Sequence, residues 1–349
     1  MPILFQQELK TFVSEILETV GSSREAARHV AGHLVESNLA GHDSHGVIRV
    51  VEYCRHAQDG MVRPTETPTI ERENPCTAVV NGHQGWGAVT AQFAINLAIE
   101  KAKKVGLSAV LVKGSHHVGR VGVYVTRAAE EGLIGTAYCN VQGPARVAPW
   151  GSAQRRLCTN PIAFAFPTGQ DPIVVDFASS AVAEGKVRLA RTSSKPVPLG
   201  WVVGPDGQFT SDPNVAYEEG AIAPLGSDQG HKGYCLALAM DLFTGVLSGE
   251  GCAQMVKRYA NGLLFQVLDP ACFTESEELY RNLNDYVRYV KGVRPNPGSE
   301  VLLPGEIERR RREQRLREGI AVDQAVWSEL LQLAQSLGVQ WNGSQRTSE

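Results

Sequence analysis

The chain has 349 residues, 43% of them hydrophobic and 20% charged, with a formal net charge of -3. That length buries a sizeable core, either as two domains or as one large α/β unit with a helical appendage, and the ordinary composition excludes disorder. The acidic balance excludes a general nucleic-acid binder, which needs a basic surplus.

Leu9, Phe12, Val13, Ile16, Leu17 and Val20 recur at helical spacing and Gly21 stops them, which predicts a first helix. Ser22 and Glu25 form a capping-box pair for a second helix, whose stripe of Ala27, Val30, Ala31, Leu34 and Val35 ends near Gly41. A third, short helix is expected over residues 44–59, closed by Gly60. Val89, Phe93, Leu97 and Ala98 read as helix up to Gly106, and a strand follows at 107–113. The glycine-bounded segment GSHHVGR then leads into a helix at 121–131 and a strand at 133–140. Further strands are expected at 162–167 and 173–177, and the Gly/Pro-rich stretch 191–230 is expected as surface loop with a hairpin at Pro205-Asp206-Gly207. An apolar helix follows Gly230, residues 262–268 form a buried strand, and the last third is polar and helical. The tail 343–349 is expected to fray.

The seven cysteines are odd in number and never spaced as CxxC, so neither a zinc knuckle nor a disulfide framework is indicated. A reducing cytoplasm is the expected compartment. The N-terminal segment is amphipathic and lacks a basic head before an apolar run, and no long uncharged apolar segment occurs, so neither secretion nor membrane spanning is expected.

The stretch GHDSHGVIRVVEY, residues 41–53, holds two histidines, two acids, a serine and an arginine. If a helix starts at Ser44, then His45, Arg49 and Tyr53 form one stripe at i, i+4 and i+8. Arg49 offers a planar fork suited to a carboxylate, Tyr53 a hydroxyl donor and His45 a proton that moves near neutral pH. The plainer alternative is an exposed helix face with Ser44 as its cap. A metal is not expected, because His42 precedes the cap and no HExxH follows; nor is Ser44 a nucleophile, since it stands in no GxSxG elbow. In GSHHVGR, the residues Ser115, His116, His117 and Arg120 sit at a strand-to-helix turn, where free backbone N–H groups favour ligands, although a capping histidine is the bland reading. No G-x-G-x-x-G and no P-loop occurs, so an ordinary Rossmann site is unsupported. Gly230-His231-Lys232-Gly233 nevertheless opens a long helix with a lysine and free amides for an anion, against the alternative of a solvated lysine. In the arginine-rich run IERRRREQRLREG, Glu308, Glu313 and Glu318 interleave, so a solvated helix face is favoured over a nucleic-acid patch.

Taken in order, DSHGVIR, GSHHVG, TNPIAFAFP, VDFASS, EGAIAPLG, HKGYCLAL and LPGE resemble the type-2 malate/L-lactate dehydrogenase family, which also includes sulfolactate and ureidoglycolate dehydrogenases, diketogulonate reductases and cyclic-imine reductases. The resemblance implies an α/β protein of three layers, a non-Rossmann nicotinamide fold on a mixed sheet, with a helical substrate and dimerisation domain. That domain is expected to be discontinuous, 1–113 with 285–349, around a cofactor-binding domain at 114–284. By similarity, Ile173, Val174, Val175, Asp176, Phe177, Ala178 and Ser179, with His231, Lys232, Gly305, Glu306 and Ile307, line NAD or NADP. Asn140 and Asn160 are implied as neighbours of the nicotinamide end. Either His45 or His117 is implied as the proton-transfer residue, with Ser44, Arg49 and Tyr53 at the substrate. The expected reaction is hydride transfer to or from C2 of a small 2-hydroxy or 2-keto acid in a homodimer; a cyclic-imine reductase or a silent binding protein are the alternatives. Two departures stand out. Val118 replaces a common Phe, and Arg120 replaces a small residue, which is expected either to meet a second anionic group on the substrate or merely to form a surface pair.

Overall fold

The computed structural model describes residues 1–255 and 259–344, and the backbone of 346–347. A short strand β1 (Pro2–Leu4) precedes helices α1 (Gln6–Thr19) and α2 (Arg24–Leu39). α1 buries Leu9, Phe12, Val13, Ile16 and Leu17, the stripe its spacing predicts. α2 is capped one residue later than expected: the Ser23 hydroxyl accepts from the Ala26 N–H, while Ser22 accepts from the Trp86 indole at 2.6 Å. Two single 3-10 turns, Asp43–His45 and Val47–Arg49, then lead to α3 (Val50–Gln58). The continuous helix expected from Ser44 is therefore broken, and Ser44 caps nothing. The break falls at Gly46, whose backbone is extended (φ -89°, ψ -153°). A Cβ there would stand 2.2 Å from Asn38 Oδ1. Asn38 uses that close approach to accept from the Val47 N–H at 2.9 Å and to donate to Asp43 at 2.7 Å.

The middle of the chain runs through β2 (Thr69–Glu73), β3 (Thr77–Asn81), α4 (Gly87–Val105), β4 (Leu107–Ser115), α5 (Gly122–Glu130), β5 (Ile134–Gln142), β6 (Pro161–Phe166), β7 (Ile173–Ala178) and α6 (Glu184–Thr192). Minor strands β8 (Val202–Val203), β9 (Phe209–Thr210) and β10 (Ala221–Ile222) precede α7 (His231–Met240), which continues as a π-helix over Asp241–Val246. The chain closes with β11 (Ala260–Leu268), α8 (Ser276–Lys291), α9 (Glu306–Glu318), β12 (Ile320–Ala321), α10 (Gln324–Ser336) and β13 (Arg346–Thr347).

Seven strands form one sheet in the order β2-β3-β4-β11-β5-β6-β7. β3 and β4 pair in parallel and the other neighbours antiparallel, so the sheet is mixed. α4 and α5 lie against one face, where Ala91, Ala94, Ala98, Ala102 and Ala128 let the helices approach closely. α7 and the π-helix lie against β5, β6 and β11. The architecture is three-layer α/β. A second core gathers Leu4, α1 to α3, Trp86 and Trp327 of α10, joining the two ends of the chain. The division expected at 113/114 falls inside β4, so strands from both sides of it pair in one sheet.

Three expectations are corrected. The stretch 191–230 has its hairpin, with β8 and β9 flanking Pro205-Asp206-Gly207, but it is not only surface. Val197, Val202, Ala216 and Ile222 pack with Val147 and Val187 into a small core of their own. The tail does not fray throughout, because β13 pairs with β1 and Ser344 donates to Glu8; Gln345, Ser348 and Glu349 lie outside the described residues. The arginine-rich α9 is likewise more than a solvated face. Arg312 pairs with Glu36 at 2.6 Å, Arg315 with Asp43 at 2.7 Å and Arg309 with Asp171, which fastens the helix to the rest of the chain.

Candidate active site

The turns after α2 and the loop after β4 bring the two histidine motifs together. His45 and His117 stack with ring centroids 5.7 Å apart and planes 18° from parallel. Tyr53, one turn beyond Arg49, shares a 2.7 Å hydrogen bond with His117 Nδ1, and Ser44 Oγ lies 3.1 Å from His45 Nδ1. Arg49 Nε donates to the Ser44 carbonyl at 2.8 Å and Nη1 to Glu52 at 2.7 Å. One edge of the guanidinium is thereby fixed, and Nη2 makes no hydrogen bond to a described residue. A second histidine pair lies behind the first: His56 Nδ1 and His116 Nε2 share a 2.9 Å bond.

The histidine loop is pinned from several sides. The Val118 N–H donates to Asn261 Oδ1 at 3.0 Å and the Arg120 N–H to His33 Nε2 at 3.2 Å. Gly119 has φ +73°, and a Cβ there would stand 2.1 Å from His33 Nε2. Only glycine meets both demands. Burial, with Arg49 beside it, pulls the His45 imidazole down to about 3. His117 is pushed well below its ordinary value by burial first, then by Arg49 and His45. Both rings are neutral at neutral pH. Burial raises the Tyr53 phenol, so it keeps its proton.

A cavity of about 910 Å³ opens here, lined by Ser44, His45, Arg49 and His117 among others. Tyr53 stands behind His117 rather than in the lining. Arg120 is also outside it: its guanidinium lies 3.7 Å from Asp176 of β7, whose other bond is to the Gly122 N–H at 2.8 Å. Of the two expectations for Arg120, a substrate anion or a surface pair, this geometry shows an ion pair, part-buried rather than at the surface.

Asn140 and Asn160 are fully buried and internally engaged. Asn140 donates to Asp241 at 3.1 Å and accepts from the Gly262 N–H at 3.0 Å; Asn160 accepts from the Val141 N–H and donates to the Ala237 carbonyl, each at 3.1 Å. Their neighbours Cys139, Val141, Thr159 and Pro161 line the cavity, so the two amides brace its wall from behind. Asp241, their partner at the start of the π-helix, is raised by burial.

The remaining segments assigned to a cofactor by resemblance are tied in series. The Val174 N–H donates to the Pro304 carbonyl, which seats Gly305 (φ +93°) on β7. The Leu225 N–H donates to Ser179 and the Gly233 N–H to Leu225, linking the end of β7 to the first turn of α7. There His231 and Lys232 are exposed, and Trp150 meets the His231 ring edge-on. Glu306 is held by Lys291 at 2.5 Å, and Ile307 is exposed. The Lys232 ammonium pairs with no described residue, and an ammonium at a helix start is donor chemistry that fits a dinucleotide pyrophosphate.

Glu52, His56, Tyr259, Asn261 and Arg146 also line the cavity, and His33 holds the histidine loop from behind; sequence reasoning singled out none of them. Glu52 and His56 follow Arg49 at i+3 and i+7, a signal that a helix started at residue 50 would have exposed. The others come from distant segments and carry no local signal.

Residues 5–331 match the malate/L-lactate dehydrogenase family. The chain belongs to that family. This family member is 35% identical to a malate dehydrogenase of Pyrococcus abyssi, over 96% of this chain and 94% of the relative. It is 34% identical to an L-sulfolactate dehydrogenase of Methanocaldococcus jannaschii, over 97% and 98% of the two chains. The solved malate dehydrogenase of Entamoeba histolytica superposes with a TM-score of 0.91 at 29% identity, covering 97% of this chain and 98% of that one. Membership makes the protein an oxidoreductase and implies a nicotinamide cofactor. Among the described residues, no helix is long and apolar enough to cross a membrane.

Proposed function

We propose that this protein transfers hydride between NAD or NADP and C2 of a small 2-hydroxy or 2-keto acid. The observation that carries the reading is a pair of neutral histidines, His117 buried and His45 half-buried, stacked beside a guanidinium whose Nη2 bonds no described residue. Arg49 offers that edge to the C1 carboxylate, which sets the C2 oxygen beside the imidazoles. The protonated Tyr53 donates to His117 Nδ1, so His117 carries its proton on Nε2 and donates to the C2 oxygen. His45 Nδ1–H donates to Ser44 Oγ, leaving Nε2 to take the hydroxyl proton in oxidation and to return it in reduction. Arg49 is the largest charge holding His45 down. A bound carboxylate offsets that charge and raises the imidazole toward the working range.

The nicotinamide supplies the hydride acceptor or donor. Lys232 at the start of α7 would hold the phosphates of the dinucleotide, and β7 with the Gly305–Ile307 turn would line its length. In this reading residues 1–113 with 285–349 bring His45 and Arg49, residues 114–284 bring His117 and the cofactor surface, and β4 is shared between the two. Exposed Leu238, Leu242, Phe243, Val246 and Leu247 on α7 and its π extension support burial against a second copy. The unpaired state of all seven cysteines supports a cytoplasmic setting.

The test is loss of reduced-nicotinamide absorbance, with NADH and NADPH offered separately against pyruvate, oxaloacetate, larger 2-keto acids and a cyclic imine. Turnover of a keto acid is expected. Turnover of the imine alone, or of nothing while nucleotide still binds, would replace this reading.

A further inference from the structure

Arg146 is a charged group in the cavity that the chemistry above leaves unused. It lines the same cavity as His45, Arg49 and His117. Its backbone is held on both sides: the N–H donates to the Leu157 carbonyl at 2.8 Å, and the carbonyl accepts from the Ile222 N–H at 2.9 Å. Val147, next in sequence, bridges to both of those segments. The guanidinium lies over the Tyr217 ring, 5.5 Å from its centroid, and Arg191 lies over the same ring at 4.8 Å. No described carboxylate pairs with it. The nearby Glu184 accepts from the Tyr217 hydroxyl at 2.8 Å and forms no ion pair with a described residue.

The other guanidiniums near the histidines are balanced, Arg49 by Glu52 and Arg120 by Asp176. Arg146 is half-buried and pairs with no described carboxylate, on a backbone held from both sides, in a cavity proposed above as a carboxylate site. A partly desolvated guanidinium without a counter-charge gains most when a ligand brings one, and its planar fork fits carboxylate or sulfonate oxygens. Arg49 sits beside the histidines and takes the carboxylate next to the reacting carbon, so Arg146 is left for a charge at the far end.

We infer that Arg146 determines specificity by binding a second anionic group, so that the preferred substrates are 2-hydroxy or 2-keto acids whose side chain ends in a carboxylate or sulfonate. This inference rests on the proposed function for the identity of the first anion. Arg188, exposed on α6 and lining the same cavity, adds positive charge that draws such an acid in.

The test compares the full-length protein with Arg146→Met, which keeps an unbranched side chain and removes the charge, and with Arg146→Lys. For each, kcat/KM is measured with oxaloacetate and a sulfonate analogue against pyruvate, along with KM for the nicotinamide nucleotide. The dianion-to-monoanion ratio should fall about 30-fold in Arg146→Met, chiefly through KM, and recover in part in Arg146→Lys. An unchanged ratio overturns the inference. So does a rise in nucleotide KM with the ratio intact, which would give Arg146 to a cofactor phosphate. If the wild type reduces no keto acid, the hydride-transfer reading fails separately, and titration calorimetry of malate against lactate still decides the role of Arg146. A wild-type preference for malate that Arg146→Met loses supports the inference; equal affinities in both proteins overturn it.

Discussion

The two charged walls of the cavity differ in how their charges are settled. On the wall made by residues 44–56 and the loop after β4, partners are internal: Arg49 with Glu52, Tyr53 with His117, His56 with His116. Its imidazoles are neutral through burial. On the wall made by residues 143–146 and α6, Arg146 and Arg188 have no described carboxylate partner. The first wall is preorganised to hold and move one proton, while the second waits for charge from outside. Changes to the first should therefore appear in kcat, and changes to the second in KM.

The largest break is expected from His45→Ala. Removing the proton carrier should lower kcat by about 10³-fold, with nucleotide affinity, read by fluorescence titration, within about twofold of the wild type. Turnover near the wild-type rate would move the proton to His117 and dissolve the roles assigned here.

Acid should distinguish the walls next. His33, His45 and His116 are pulled down to about 3, and His117 well below its ordinary value, all chiefly by burial. In the unfolded chain these rings titrate near 6.5, so between pH 6.5 and about 3 the unfolded state binds more protons and stability falls as pH falls. The expected outcome is a urea midpoint that drops steadily below pH 6.5, with uptake of about four protons on unfolding. His116→Asn should soften that limb, whereas Arg146→Met should leave it in place. A flat midpoint down to pH 4 would mean that the histidines are not buried as described.

The mildest effect belongs to Tyr53→Phe. Losing the donor to His117 Nδ1 frees the imidazole tautomer, and kcat should fall about tenfold with little change in KM for the keto acid. An equal loss in Tyr53→Phe and in binding of the keto acid would make Tyr53 a packing residue instead.

Much of the scaffold was legible because its signals are local. The apolar stripe of α1, the strand before GSHHVGR and the hairpin at Pro205-Asp206-Gly207 each fit the period or turn chemistry of a few neighbouring residues. The helix proposed from Ser44 failed for a reason no local pattern carries: Asn38, a turn earlier in space, demands glycine at position 46. The partner of Arg120 is equally out of local reach, since Asp176 comes to it from a strand far along the chain. The two histidine motifs could be named from sequence, but their stacking, and the arrival of Arg146 and Asn261 beside them, depend on β11 and the 143–146 segment reaching the same cavity. Long-range placement of single polar residues leaves no periodicity to read.

Arg315 of α9 grips Asp43 at 2.7 Å across a separation of 272 residues, and Glu308 of the same helix reaches His42. The strut therefore follows the turn it steadies by most of a domain's length of chain, with the whole seven-stranded sheet between them. A nascent chain can thus assemble that sheet and still lack the contact that sets the reactive turn.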